Sequence, residues 1–180
     1  MVQALSHGSW SHLTQPHTSG LLRPLGYNCG WTSRVARILT AVAPDTEERI
    51  RRILAGHKLF FVTSIADAKA ALDDNIKLVF VGARFDESRM FDLIEHIRQD
   101  VEQRKIPIVA AIIAPTMMSR GTLAGLAHAT KIFGASVFVN LNDFADDQTQ
   151  NTRLRIIVDA LLLPPDAVPR VAQRIAPLPE

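Results

Sequence analysis

The side chains in this chain that could do chemistry are scattered. Asp86, Glu87 and Asp92 stand close together after an apolar run, a grouping open to acid–base work or to a hard cation. An acidic loop that opens a helix also has a plainer use, because carboxylates favour the positive helix end. His57, His96 and His128 fall on separate stretches with no nucleophile at motif spacing. The single cysteine, Cys29, lies in an N-terminal segment without element periodicity, so no triad can be assembled and no enzymatic activity is expected. His7, His12 and His17 recur at five-residue intervals, whereas a helix would bring ligands three or four apart. No Cys or carboxylate joins them, and neither a metal nor another cofactor is expected.

A second polar set is more coherent. Thr63, Ser64, Arg84, Thr116, Asn140 and Asn142 each follow an apolar run, and Arg84 sits beside Gly82, where an anion could come close to backbone N–H groups. The chain contains neither a G-x-G-x-x-G nor a Walker-type loop. A small-anion or nucleotide site made by this set is therefore the alternative reading.

What must position these groups is a series of short apolar runs alternating with amphipathic stretches. Ile38–Val42, Leu59–Thr63, Leu78–Val81, Ile106–Ile113 and Val137–Val139 read as strands covered on both faces. Asp45 with Glu48, and Ser64 with Asp67, have the spacing of helix-capping boxes, and Gly56 stops the first helix. Met90, Leu93, Ile94, Ile97 and Val101 keep a 3.6-residue period, which predicts a helix from about Ser88 to about Arg104. The segment 117–133 holds Gly121 and Gly125, each costing about 1 kcal/mol in a helix relative to alanine, so it should be the least stable helix. Leu154, Ile157, Val158, Leu161 and Leu162 mark a last helix that ends before Pro164. Strands joined through crossover helices run parallel. The fold class is therefore α/β, a doubly wound five-stranded parallel sheet with helices on both faces.

Composition adds bounds. With 180 residues and 47% hydrophobic content the chain can bury one real core. Residues 34–163 form that domain, residues 1–33 read as a flexible or non-native tail, and residues 164–180, with five of the ten prolines, as a proline-rich arm. Twenty Lys and Arg against 18 Asp and Glu give +2 with no run of like charge, which leaves nucleic acid unsupported as a partner. One cysteine, no secretory signal pattern and no apolar run near the ~18 residues a membrane span needs favour a cytoplasmic setting.

Four phrases in order, RILTAVAPD, IKLVFVGARFDE, KIPIVAAIIAPT and GASVFVN, resemble the receiver domain of bacterial two-component response regulators over Arg37 to Leu163. Receivers transfer a phosphoryl group to an aspartate ending the third strand. Mg²⁺ is held there by an acidic pair after the first strand, and a hydroxyl and a lysine end the fourth and fifth. Carried onto this chain, the phosphoacceptor position falls on Gly82 and the acidic pair on Val42 and Ala43. The hydroxyl falls on Ile112 or a neighbour, and the lysine on Asn140 or Leu141. None matches, so the resemblance implies a degenerate, phosphorylation-independent pseudo-receiver. Its expected role is docking to a protein partner or homodimerisation through the fourth helix, fifth strand and fifth helix. Leu123, Leu126, Phe138, Leu154 and Ile157 would lie on or under that face, with Arg153 and Arg155 at its rim. Phe138 also matches the aromatic that receivers use as a rotamer switch. Asp86 is the nearest carboxylate that could stand in as phosphoacceptor, and no phosphorylation of it is expected.

Overall fold

The structure, a computed structural model, describes residues 35–115 and 117–163. The expected tails, with Cys29, His7, His12 and His17, lie outside the described residues, as does Thr116. The elements follow the alternation of the sequence: β1 (Arg37–Ala41), α1 (Glu47–Ile53), β2 (Lys58–Val62), α2 (Ile65–Ala71), β3 (Ile76–Gly82), α3 (Met90–Gln99), β4 (Ile108–Ile112), α4 (Arg120–Ile132), β5 (Val137–Asn140) and α5 (Gln148–Leu161). All strand pairs are parallel, in the order β2-β1-β3-β4-β5. The chain thus folds as the expected doubly wound five-stranded sheet. Chain direction across the sheet reverses between β1 and β3, and the carboxyl edge at such a switch point is where α/β sheets usually hold ligands.

Alternation of side chains sorts the strands into two cores. Leu39, Ala41, Val79, Val81, Ile108 and Ala110 pack with α2 and α3, which supply Ala68, Leu93, Ile94 and Ile97; Leu126 of α4 and Phe138 join this layer partly buried. Ile38, Val42, Leu78, Phe80, Val109 and Ala111 pack with α1 and α5 through Ile50, Ile53, Leu54, Leu154 and Val158. The central strand β3 is buried along nearly its whole length, which is why its sequence is an unbroken apolar run.

Two local expectations are corrected. Asp45 and Glu48 do not form a capping box. Pro44–Thr46 makes a 3-10 turn first, and the Thr46 hydroxyl donates to the Ala43 carbonyl at 2.6 Å. Ser64 does cap α2, accepting from the Asp67 N–H. Helix α3 ends at Gln99, because Asp100 turns to extended backbone and its carboxylate accepts the Glu102 N–H. Val101 keeps the periodicity but is 68% exposed.

Candidate functional site

Open α/β sheets hold ligands outside the carboxyl ends of the strands at the switch point, here the ends of β1 and β3 with β4 beside them. Here that edge carries a cleft of about 80 Å³ lined by Ala43, Gly82, Ile112, Ile113, Met118 and the polar Thr46, Arg84 and Ser88. Its floor is core. A Cβ added at Gly82 would stand 3.0 Å from Ile113 Cδ1 and 3.5 Å from Val42 Cγ1. Both neighbours are buried, Val42 at 1% and Ile113 at 7% exposure, so the strand end that could offer a side chain is roofed by two branched aliphatic residues. Glycine avoids the tight contact that a Cβ would make with the end of the Ile113 side chain, and its φ is ordinary.

The nearby charged groups are already engaged. Arg84 pairs with Asp45 at 3.1 Å, both more than half exposed. Asp86 accepts the Ile65 N–H at 2.9 Å, so it caps α2 and not the helix that follows it, and its carboxylate lies 3.6 Å from Arg89. Asp86, Glu87 and Ser88 all take positive φ, 41°, 56° and 73°, a run that costs roughly 1–2 kcal/mol per non-glycine residue. Phe85, fully buried, pins the start of this loop in the core. Glu87 is exposed, and Asp92 pairs with Arg89 at 2.9 Å.

The remaining polar candidates serve the fold. Thr63 is exposed at the end of β2, and Ser64 is committed to the α2 cap. Asn140 accepts the Asn142 N–H and donates to Asp143, while Asn142 donates to the Ala114 carbonyl and ties the ends of β4 and β5. The residues at this edge do not fit a divalent cation. Gly82, Val42 and Ala43 bring no side-chain oxygen, Asp45 and Asp86 are used elsewhere, and no group of three or more His, Cys, Asp or Glu side chains gathers among the described residues.

The expected docking residues divide between the two faces of the sheet. Leu123 is half-buried on α4, while Leu126 and Phe138 pack against the α2/α3 layer. On the other face Leu154 is core at 3% exposure, under the surface, and Ile157 is 37% exposed. Arg153 is exposed and in no ion pair among the described residues. Arg155 is not at the rim of this surface: its guanidinium donates to the carbonyls of Ile53 and Arg52, closing the end of α1. Because β5 is the edge strand, α4 and α5 flank it, and a face wrapping that edge remains available.

No family model matches the chain, and no curated protein matches it. Solved structures do. A response regulator from Hahella chejuensis superposes with a TM-score of 0.55 at 22% identity, covering 71% of this chain and 95% of its own. The fold is that of a receiver domain. A CheY-like receiver protein from Methanospirillum hungatei (TM-score 0.52, 13% identity, 76% and 98% covered) and the chemotaxis response regulator CheY4 of Vibrio cholerae (0.53, 13%, 72% and 99%) carry it as well. In this receiver fold Gly82 ends β3, Val42 and Ala43 follow β1, and Ile112 ends β4.

Sequence reasoning found these positions but not what closes over them. The Val42–Ile113 roof joins residues far apart in the chain, and aliphatic residues give no signal beyond hydrophobicity. The arginines that bind α1 to α5 and to the loop before it were likewise missed. Arg49 donates to the Leu141 and Phe144 carbonyls at 2.8 and 2.7 Å, and Arg52 pairs with Asp146 at 2.6 Å. That bond, with one from Asn151, holds the Asp146 carboxyl down at about 2.

Proposed function

We propose that this chain is a non-catalytic, phosphorylation-independent receiver-like module of two-component signalling that acts through protein–protein contact. The observation that carries the reading is Gly82, roofed by Val42 and Ile113 where a receiver places its phosphoacceptor. Aspartyl phosphorylation needs a carboxylate nucleophile, a cation to screen the phosphoryl oxygens and room for a tetrahedral group. The β3 end brings no carboxylate, and no oxygen ligands for a cation gather around it among the described residues. The working surface is then the face around β5, where α4 contributes a single fully buried residue, Thr130, and Leu123, Ile157 and Arg153 stand at or near the surface.

The alternative of an anion or nucleotide at the carboxyl edge has weaker support, since Arg84 is neutralised by Asp45 and most of the cleft lining is apolar. The test is incubation with acetyl phosphate, and separately beryllofluoride, in the presence of Mg²⁺. Intact mass and amide NMR positions are expected to stay unchanged. A mass gain of one phosphoryl group, or shifts centred on Gly82 to Ser88, would overturn the reading.

A further inference from the structure

Of the two edges of the sheet, β2 forms the one away from β5. The Lys58 N–H donates to the Ala36 carbonyl at 2.9 Å, and β2 runs in unbroken register along β1, with Lys58 against Arg37 and Phe60 against Leu39. A strand turns the backbone groups of alternate residues toward a given neighbour, so Lys58, Phe60 and Val62 bond to β1. Leu59 and Phe61 therefore point N–H and C=O away from the sheet, and these groups have no hydrogen-bond partner among the described residues.

Protected edges carry prolines, bulges or inward-pointing charges. The β2 sequence KLFFV has no proline, no bulge against β1 and a single charge, at its first residue. Arg37 lies over the Phe60 ring at 4.5 Å and Arg51 over the Phe61 ring at 4.1 Å, so these guanidiniums cover the faces of the strand and leave its hydrogen-bonding side open.

A row of outward N–H and C=O groups accepts one kind of partner, another strand, and their positions say which. In an antiparallel pair of β2 strands, opposite residues must face the same side of the sheet, which excludes a one-residue slip. With Phe60 on the two-fold axis, Leu59 and the partner's Phe61 exchange both bonds, as do Phe61 and the partner's Leu59. Every outward group of β2 is then satisfied. The next allowed slip in either direction sets Leu59 opposite Thr63 or Phe61 opposite His57, outside β2. In the central register Phe60 meets its own copy as the closer, non-hydrogen-bonded pair, where aromatic side chains interact well, and Lys58 falls opposite Val62, so no like charges are opposed.

We propose that two copies of this chain pair antiparallel through β2, with Phe60 on the two-fold axis, to make one continuous sheet. This surface lies at the opposite edge from β5 and goes beyond the interaction-module reading.

Sedimentation velocity of the full chain over a range of concentrations should show a monomer–dimer equilibrium. Leu59→Pro deletes an outward N–H and leaves the bonds to β1, so it should weaken association about tenfold or more with the circular dichroism spectrum retained. Register is read by cysteine links under mild oxidation in a Cys29→Ser background. Phe60→Cys should link to itself, because the axial pair falls within the Cα separation of about 4.4–6.8 Å that a disulfide spans. Lys58→Cys and Val62→Cys should each stay unlinked alone and link when mixed. Should Leu59→Pro unfold the chain, the cysteine links decide. A wild-type monomer at every concentration, a dimer indifferent to a folded Leu59→Pro, or links that ignore this register would overturn the proposal. The acetyl phosphate experiment decides the interaction-module reading separately.

Discussion

The α1/α5 layer and α4 cover the same sheet in opposite ways. The first is sewn down: Ile50, Ile53, Leu154 and Val158 are buried, Arg49 and Arg155 donate to carbonyls of neighbouring elements, and Arg52 pairs with Asp146. His57, almost wholly buried, accepts the Ala36 N–H and contacts Asp159 of α5 at 2.9 Å. Helix α4 buries Thr130 and half-buries a few apolar residues, and its side-chain hydrogen bonds stay within its own turns. The roof over Gly82 belongs to the sewn layer. The difference teaches that in this fold the residues over Gly82 are part of the firmly held layer, while α4 is the looser flank.

The largest effect is expected between the two helices. Leu154→Ala removes a core side chain and should cost about 2–4 kcal/mol, whereas Leu126→Ala, half-buried on α4, should cost about half as much. Equal losses would mean that α4 is held as firmly as α5.

Next comes the strand end where the sewn layer meets the sheet edge. Gly82→Asp presses a Cβ on the end of the Ile113 side chain and brings a carboxylate beside apolar neighbours, so it should cost about 1–3 kcal/mol in urea unfolding. It should not gain a phosphoryl group from acetyl phosphate. A stable, phosphorylated variant would break the comparison at its root. Gly125→Ala acts on the free flank in the opposite direction: a Cβ there meets nothing within 4 Å, so the variant should gain about 1 kcal/mol. A destabilised Gly125→Ala would mean that the helix is constrained in a way its open surroundings do not suggest.

The smallest effect is pH-dependent. The Arg52 bond holds Asp146 at about 2, below its ordinary 3.8, so this carboxylate binds a proton more readily in the unfolded chain. Its contribution is complete above about pH 4 and is lost as pH falls towards 2. Asp146→Asn should flatten that part of the acid-unfolding profile; an unchanged profile would remove this stitch from the sewn layer. The pair is partly exposed, which keeps the effect modest.

The strands and their order were legible because buried parallel strands are written as short apolar runs, and β3 is the plainest of them. The end of α3 was not, since Val101 continues the period while Asp100 breaks the backbone. Proline at 44 converted an apparent capping box into a 3-10 turn. The three consecutive left-handed residues at 86–88 were hidden because no glycine announces them. Arg155 looked like a surface cation, and only the tertiary structure brings it to carbonyls 102 and 103 residues earlier in the chain. That Gly82 brings no side chain to the β3 end could be read from residue type alone; the contact a Cβ there would make with Ile113 required the packing.

Residue-resolved amide hydrogen exchange on the whole chain, at neutral pH without ligands, tests the central claim most directly. The account predicts the slowest exchange in β3 through Gly82 and in β1, strong protection of α5, and fast exchange by local opening throughout α4. Protection of α4 equal to that of α5, in a sample shown to be monomeric, together with rapid exchange at Val81 and Gly82, would contradict it.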